Sequence, residues 1–372
     1  MHVARNPMRA TRWFLLPLWL LSSCGDDSVA PAAITQDSGT EDSVAQHEDS
    51  SSLEDASPDA PEVLDGPAEA ALDSSGSSSQ GEHFYNGPQG SRRYLVHVPG
   101  SDAPALMPMV MVLHGCNQDP ESIQALTGFN ALADQEKFVT VYPHQDKASN
   151  PYGCWNWFVP AHQGRDGGEP AILAAIAAEV MAHVAIDPKR VHVAGLSAGG
   201  AMAVVMASTW PDLFASVGVV AGCPYKGTPC LNAPSTESVA TLAGWVNEAM
   251  GVHARVLPMI LMQGTADLYV PAENAALLRK QWLGAQDLAD DGAANGSVSQ
   301  SPAKVEQGTS AGGRSFAVET YEWQSASVLE SWLIQDMDHA WPGGAAGQPF
   351  SDPKGPDATL ELARFLAAHP MP

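Results

Sequence analysis

Short apolar runs alternate with longer amphipathic stretches through most of the chain after residue 90. Residues 108–113 and 258–262 are continuously apolar, which predicts strands buried on both faces, whereas residues 92–98 alternate and predict a half-buried strand. Further strands are predicted at residues 138–142, 215–221, 316–323 and 328–334. Helices are predicted at residues 121–136, 169–186, 239–250, 274–283 and 357–368, and a polar loop insertion at 287–313. Because strands alternate with helices, we expect an α/β fold with a mostly parallel central sheet and helices on both faces.

The sequence Gly195-Leu196-Ser197-Ala198-Gly199 lies between a β-branched run and small apolar residues at helical spacing. This pattern predicts a sharp turn from a strand into a helix, in which the glycines let the two elements pack closely. Such a turn exposes the Ser197 hydroxyl and aims the N–H of Ala198 at a reacting carbonyl. We therefore expect Ser197 to be a nucleophile and Ala198 to supply one oxyanion donor. A Gly-rich turn with an idle serine is the alternative.

A serine nucleophile needs a base, and the base needs an acid that orients it. When the serine lies in such a turn, the acid follows it along the chain and the histidine comes last. Asp267 comes just after a predicted buried strand, at the sheet edge where α/β proteins carry their sites. Beyond it lie His339, in a loop after the last predicted strand, and His369, in the C-terminal tail. We predict the triad Ser197, Asp267 and His339, with Asp338 as a competing acid.

The second oxyanion donor should come from the loop after the first buried strand, where His114-Gly115 precedes Cys116. We assign this donor to the N–H of Cys116. A simple turn at His114-Gly115 is the alternative.

Three tryptophans lie close in sequence to these candidate residues. Trp155 and Trp157 follow Cys154, and Trp341 comes two residues after His339. Their indoles suit a hydrophobic core as well as an apolar acyl or aromatic pocket. We predict that Trp155, Trp157 and Trp341 bind substrate, with a core role as the alternative.

After the N-terminal region the chain contains four cysteines, Cys116, Cys154, Cys223 and Cys230, which allow three pairings. We favour Cys223 with Cys230, which closes a short loop, and Cys116 with Cys154, which ties two loops beside the predicted site. Four buried free thiols are the alternative. No Cys-x-x-Cys spacing occurs, so these cysteines do not predict a metal site, and the predicted serine chemistry implies no metal or cofactor.

The N-terminus has the pattern of an export signal. Arg5, Arg9 and Arg12 precede an apolar stretch at residues 13–21 that is too short to span a bilayer. The following Leu21-Ser22-Ser23-Cys24 resembles a bacterial lipobox, which implies cleavage after residue 23 and lipidation of Cys24. An ordinary secretory signal is the alternative. In both cases we expect export to a compartment that permits disulfides, as a lipoprotein of the cell surface, outer membrane or periplasm or as a released protein.

Residues 24–80 are rich in Ser, Ala, Asp, Glu and Pro and contain no Lys or Arg. This composition predicts a disordered acidic linker between a signal peptide at 1–23 and a catalytic domain at 81–372. The formal net charge of the chain is −24, which argues against a nucleic-acid partner.

Five motifs together resemble the poly(3-hydroxybutyrate) depolymerase family of esterases, which also includes feruloyl and acetylxylan esterases. They are His114-Gly115-Cys116-x-Gln118, Cys154-Trp155-Asn156-Trp157, Arg165 with Gly168-Glu169-Pro170, the segment 195–202, and His339-Ala340-Trp341-Pro342-Gly343. The resemblance covers about residues 85–367 and implies an α/β-hydrolase fold, a Ser-Asp-His triad and an exported serine esterase. Two positions depart from the family: Gln263 stands where a histidine is frequent, and Asp338 where a glycine is usual.

The expected function is hydrolysis of carboxylic esters through an acyl-enzyme, on polyhydroxyalkanoate-type oligomers or polyesters. Feruloyl or acetylxylan esterase activity on plant polysaccharide is the alternative. A non-catalytic surface-binding lipoprotein on a hydrolase scaffold is an alternative of another class. We expect an ester substrate and, through the lipid at Cys24, a membrane as partners. No C-terminal polymer-binding domain is expected, which favours oligomers over crystalline polymer.

Overall fold

The computed structural model describes residues 78–100 and 103–372. The predicted signal peptide, Cys24 and nearly all of the predicted linker lie outside the described residues. The first strand begins at Ser79, two residues before the start that we predicted for the catalytic domain.

Within the described residues, ten strands form one sheet. They are β1 (Ser79–Gly87), β2 (Gly90–Val98), β3 (Met107–Leu113), β4 (Val139–Pro143), β5 (Ile186–Leu196), β6 (Ser216–Val220), β7 (Met259–Gly264), β8 (Lys304–Thr309), β9 (Ser315–Trp323) and β10 (Ala326–Ile334). Their order across the sheet is β1-β2-β4-β3-β5-β6-β7-β10-β9-β8. A separate parallel pair consists of β11 (Trp341–Pro342) and β12 (Ser351–Asp352).

The six central strands, from β4 to β10 in sheet order, are parallel to one another. The strands outside them, β1 and β2 at one side and β8 and β9 at the other, pair antiparallel. Every residue of β3, β6 and β7 is buried, as expected for strands covered on both faces. The carboxyl ends of the parallel strands therefore lie at one edge of the sheet, and the loops that follow them meet there.

Seven α-helices are described: α1 (Pro120–Thr127), α2 (Phe129–Glu136), α3 (Gly168–His183), α4 (Ala198–Thr209), α5 (Val239–Met250), α6 (Ala272–Asp291) and α7 (Ala358–Ala368). The apolar residues of α3, α4, α5 and α6 belong to the core on one face of the sheet. Those of α1, α2 and α7 belong to the core on the other face. This arrangement confirms the predicted α/β fold with helices on both faces. No helix in the described part of the chain has the length and apolarity that a membrane crossing requires.

Three local predictions were wrong, and three strands were not predicted. The single helix predicted at residues 121–136 is two helices, because Gly128 adopts a left-handed conformation with φ of 67° and ends α1. Helix α6 extends to Asp291, and strand β8 lies inside the segment that we predicted to be a loop at 287–313. Strand β1 and the two-residue strands β11 and β12 were not predicted. Strands β1 and β8 lie at the edges of the ten-stranded sheet, where exposure removes the apolar signal.

Candidate active site

Ser197 lies in a tight turn between β5 and α4. Its φ and ψ are 57° and −121°, a sparsely populated conformation for a residue with a side chain, which costs about 1–3 kcal/mol. A Cβ on Gly195 would clash with the Gly199 carbonyl, and one on Gly199 would clash with the carbonyl oxygen of Leu113. The two glycines therefore allow the strained turn to pack against the end of β3. The Ser197 side chain remains partly exposed.

Asp267 and His339 are joined directly at the same sheet edge. Nδ1 of His339 lies 2.7 Å from Oδ2 of Asp267, and only 8% of His339 and 4% of Asp267 are exposed. Because an ionised carboxylate only accepts hydrogen bonds, Nδ1 carries the proton and Nε2 is left as an acceptor. His339 is thus held in the tautomer that a general base requires.

The carboxylate of Asp267 is held in place from several directions. Oδ1 accepts the N–H groups of Tyr269 at 2.9 Å and Val270 at 2.8 Å, and Oδ2 accepts the amide of Gln263 at 3.0 Å. Burial acts to raise the pKa of Asp267, but the hydrogen bond from His339, together with those from Val270 and Gln263, outweighs it and lowers the pKa. Asp267 therefore stays ionised, and Gln263 serves as a further clamp on it.

Asp338 does not compete for the imidazole. Its side chain is exposed, and its Oδ1 accepts the backbone N–H of His339 at 2.8 Å. The loop that carries both residues is tied to the Asp267 loop, because Ala266 N donates to Met337 O at 2.9 Å. Parallel pairing of β7 with β10 brings these two loops side by side.

The structure joins two of the three predicted triad residues by a hydrogen bond and places the third at the same edge of the sheet. Among the described residues, the Ser197 hydroxyl makes no hydrogen bond, so its proposed contact with Nε2 of His339 remains a prediction. Strand β6 separates β5 from β7, and Ser197 N donates to Val220 O of β6 at 2.9 Å.

The loop after β3 reaches the nucleophile turn. A Cβ on Gly115 would lie 3.4 Å from the Cβ of Ser197, so Cys116 follows a residue that almost touches the serine. Ala198 is the first residue of α4, where backbone N–H groups have no partner within the helix. In the described part of the chain neither the Cys116 N–H nor the Ala198 N–H has an acceptor. Both predicted oxyanion donors are therefore available to a ligand.

The buried side chain of His114 holds the loop after β3 by two hydrogen bonds. Its Nδ1 donates to Gly115 O at 2.8 Å, and its Nε2 accepts Gln145 N–H at 3.0 Å. Burial lowers the pKa of His114 to about 4, so the ring is neutral near neutral pH and both nitrogens are used. His114 therefore stabilises the loop after β3 that carries Cys116, which we call the oxyanion loop.

Buried Glu169 also helps to hold the loop of Cys116, through Gln145 and Asn156. It accepts hydrogen bonds from the Gln145 side chain and, at 2.7 Å each, from the backbone and side-chain nitrogens of Asn156. Burial raises the pKa of Glu169 above its ordinary value. The chain of contacts from Glu169 through Gln145 to His114 connects α3 to the loop of Cys116.

The structure contains the disulfides Cys116–Cys154 and Cys223–Cys230, the pairing that we favoured. The first joins the oxyanion loop to the loop of Trp155. The second closes a loop that follows β6 and is anchored by a hydrogen bond from Asn274 to Cys230 O at 2.9 Å. Both disulfides therefore brace loops at the edge of the sheet that carries the site.

The predicted substrate-binding role of the three tryptophans is corrected. Trp155 and Trp341 have no exposed surface, and Trp157 is 6% exposed. Trp155 donates to His114 O at 3.0 Å, and Trp341 packs against Phe129 and donates to Thr359 Oγ1 at 3.1 Å. A fully buried indole cannot contact a substrate, so Trp155 and Trp341 stabilise the segments around the site, and Trp157 has almost no exposed surface for a substrate.

Sequence reasoning missed the large apolar residues that are exposed beside His339. The Tyr269 ring lies 5.4 Å from the His339 ring, and the Phe350 ring lies 6.1 Å from it, measured between centroids. Leu268 is also exposed. The position of Leu268 and Tyr269 directly after Asp267 was a signal in the sequence, whereas nothing in the sequence marked Phe350.

The described residues contain no cluster of three or more His, Cys, Asp or Glu side chains that could hold a metal ion.

A cavity of about 550 Å³ lies between α5 and α6 and is lined by Ala240, Ala243, Gly284 and Leu288 among others. None of the candidate catalytic residues lines it.

Comparison with known proteins gives the chain a family. Residues 92–301 match the family model described as Esterase PHB depolymerase. The chain belongs to the Esterase PHB depolymerase family. The matched range of this family member contains Ser197 and Asp267 and ends before His339.

Curated relatives of this family member include a depolymerase and an acetylxylan esterase. Poly(3-hydroxyalkanoate) depolymerase C of Paucimonas lemoignei is 39% identical over 169 residues, which are 44% of this chain and 40% of that protein. Acetylxylan esterase A of Aspergillus ficuum is 30% identical over 228 residues, which are 56% of this chain and 72% of that protein. The chain thus spans about two fifths of the length of the first relative and 72% of the length of the second.

Among solved structures, the acetyl xylan esterase from Aspergillus awamori matches with a TM-score of 0.58 and 21% identity. The match covers 71% of this chain and 94% of that one. At 21% identity this match supports the fold alone. The fold is the α/β-hydrolase fold that the sequence motifs implied.

Proposed function

We propose that this member of the Esterase PHB depolymerase family is a serine esterase that hydrolyses carboxylic esters through an acyl-enzyme. One observation carries the proposal: the bond of 2.7 Å between His339 Nδ1 and Asp267 Oδ2, at the sheet edge where the strained turn presents Ser197. A buried acid that orients a histidine, at the same sheet edge as such a serine, supports a role in nucleophilic catalysis.

The proposed reaction assigns a role to each group. Ser197 attacks the ester carbonyl while Nε2 of His339 accepts its proton, and Asp267 stabilises the imidazolium that forms. The N–H groups of Cys116 and Ala198 donate to the oxyanion of the tetrahedral intermediate. His339 then protonates the leaving alcohol. Water, activated by His339, hydrolyses the acyl-Ser197 ester and regenerates the enzyme.

The proposed substrates are oligomers or polyesters of the polyhydroxyalkanoate type. The 39% identity to depolymerase C supports this choice. Acetylated plant polysaccharide is the second candidate, supported by the match to 72% of the length of acetylxylan esterase A. A test of both is a hydrolysis screen with 3-hydroxybutyrate oligomers, acetylated xylan and methyl ferulate.

We also propose that the protein is exported and anchored by lipid at Cys24. The two disulfides support folding in an oxidising compartment, and the lipobox-like sequence before Cys24 supports the anchor. Incorporation of labelled palmitate into the full chain, and its loss in Cys24→Ala, tests the anchor.

Active-site labelling tests the enzyme class. A fluorophosphonate probe reacts with a serine only when a base activates it, so the wild-type protein should be labelled and Ser197→Ala should not. Circular dichroism must show that both proteins are folded. A folded wild-type protein that is not labelled would contradict the proposal and favour a surface-binding lipoprotein.

A further inference from the structure

Two exposed aromatic side chains lie near the His339 ring. The Tyr269 ring is tilted by 52° to the imidazole, and the Phe350 ring meets it edge-on at 86°. Tyr269 is 63% exposed and Phe350 is 39% exposed. Aromatic rings that remain this exposed beside a buried histidine are not needed to fill the core.

The backbone of Phe350 is strained. Its φ is 59°, in the left-handed region that bulky side chains rarely adopt. The conformation is maintained by a hydrogen bond of 2.7 Å from Trp341 N to Phe350 O and by the adjacent pairing of β11 with β12. A glycine at this position would avoid the strain, and strained residues of this kind cluster at functional sites.

The backbone of Tyr269 is positioned by a hydrogen bond to Asp267, the acid of the candidate triad. Its N–H donates to Asp267 Oδ1 at 2.9 Å, and its carbonyl accepts Asn232 N–H at 3.2 Å. The second contact brings the loop of Leu231, which is exposed, next to that of Leu268 and Tyr269. Leu231, Leu268 and Tyr269 are therefore exposed apolar side chains on two segments that this hydrogen bond joins.

The chemistry of His339 decides what these rings contact. In the proposed reaction His339 protonates the oxygen of the departing alcohol, so this oxygen must come within hydrogen-bond reach of Nε2. Groups packed around the imidazole then lie next to the alcohol part of the ester, on the far side of the carbonyl from the acyl chain.

We propose that Tyr269 and Phe350 form the subsite for the alcohol part of the substrate, and that this subsite favours an apolar alcohol group. The proposal rests on the serine esterase function above.

A series of butyrate esters with ethyl, hexyl and benzyl alcohol groups tests the proposal, because the acyl group stays constant. For Tyr269→Ala and Phe350→Gly, KM should rise about 3- to 10-fold for the hexyl and benzyl esters and change little for the ethyl ester. The kcat should be nearly unchanged. Tyr269→Phe, which keeps the ring, should behave like the wild-type protein.

Two controls separate binding from stability. Phe350→Gly relieves the strained φ but gives the unfolded chain more conformational freedom, so circular dichroism must show that the variant is folded at the assay temperature before its KM is compared. Val252→Ala changes a side chain that is 96% exposed at the opposite edge of the sheet, and should leave KM for every ester unchanged.

The outcomes distinguish this proposal from the proposed function. If the wild-type protein hydrolyses none of the esters and no fluorophosphonate label appears, the esterase assignment fails. If the wild-type protein hydrolyses all three but the two variants raise KM equally for the ethyl and benzyl esters, or for none, the alcohol subsite alone is overturned.

Discussion

His339 donates a hydrogen bond of 2.7 Å from Nδ1 to Oδ2 of Asp267, although the two residues are 72 positions apart in the chain. The contact exists because β10 pairs with β7 in parallel, with Ile334 opposite Gly264. Both loops therefore leave the sheet at the same point. The hydrogen bond fixes the histidine tautomer on which the proposed mechanism depends.

Asp267→Asn should lower kcat for a simple ester by about 10⁴-fold, because an asparagine amide can hold the imidazole in the wrong tautomer. Steady-state kinetics with p-nitrophenyl butyrate measures the effect. Asp338→Asn is the matched control: it keeps an oxygen for the His339 N–H and should leave kcat close to that of the wild-type protein. A larger loss in Asp338→Asn than in Asp267→Asn would reverse the two assignments.

Removal of Cys116–Cys154 by replacing both cysteines with alanine should reduce stability and activity together. The disulfide closes a loop with a sequence separation of 38, for which chain entropy predicts a stabilisation of about 4 kcal/mol. Displacement of the Cys116 N–H should also lower kcat about 10- to 100-fold.

The other disulfide provides the control for that experiment. Cys223–Cys230 has a sequence separation of 7, so its removal should cost about 2 kcal/mol and leave kcat nearly unchanged. Urea denaturation and ester kinetics on both double variants measure the two effects. Equal losses of kcat in the two variants would argue against an oxyanion role for Cys116.

Glu169→Ala should weaken the oxyanion loop, because it leaves the donors of Gln145 and Asn156 unpaired in a buried place. We expect a loss of stability of about 2–4 kcal/mol and a lower kcat, with KM changed less. Gln286→Leu is the matched control, since Gln286 is buried and its Oε1 accepts Leu257 N–H far from the site.

The comparison of these two variants separates a positioning role from general destabilisation. Both should lower the urea midpoint, but kcat at a temperature where both are folded should fall only in Glu169→Ala. If the two variants lose kcat in proportion to their stability, Glu169 has no specific role in the oxyanion loop.

Stability should fall between about pH 6.5 and pH 4. Burial lowers the pKa of His114 to about 4 and that of His192 to about 3. In this range the unfolded chain binds protons at these histidines that the folded protein does not, so each can remove up to about 1.4 kcal/mol per pH unit as the pH falls. Glu169, whose pKa is raised, acts in the opposite direction.

Urea denaturation at several pH values measures this slope. The double variant His192→Leu with Ser216→Ala removes one histidine and its partner, which are joined at 2.9 Å, without leaving a buried polar group unpaired. Its slope between pH 6.5 and 4 should be shallower than that of the wild-type protein. An unchanged slope would mean that His192 does not contribute.

The central strands were predictable because burial on both faces leaves a continuous apolar run, as in β3 and β7. Strands β1 and β8 were not, since their exposure removes that pattern. Gly128 shows a different limit: the residue was visible in the sequence, but its left-handed φ, which separates α1 from α2, depends on how those helices pack.

The sequence by itself determined the order and identity of the candidate triad, because the turn around Ser197 is a local motif and few residues beyond it qualify as acid or base. Tertiary structure alone decided which side chains surround them. It buried Trp155 and Trp341 in the core and exposed Tyr269 and Phe350 beside His339. The physical reason is that periodicity reports contacts within one element, whereas the burial of a loop residue depends on segments that are distant in the chain.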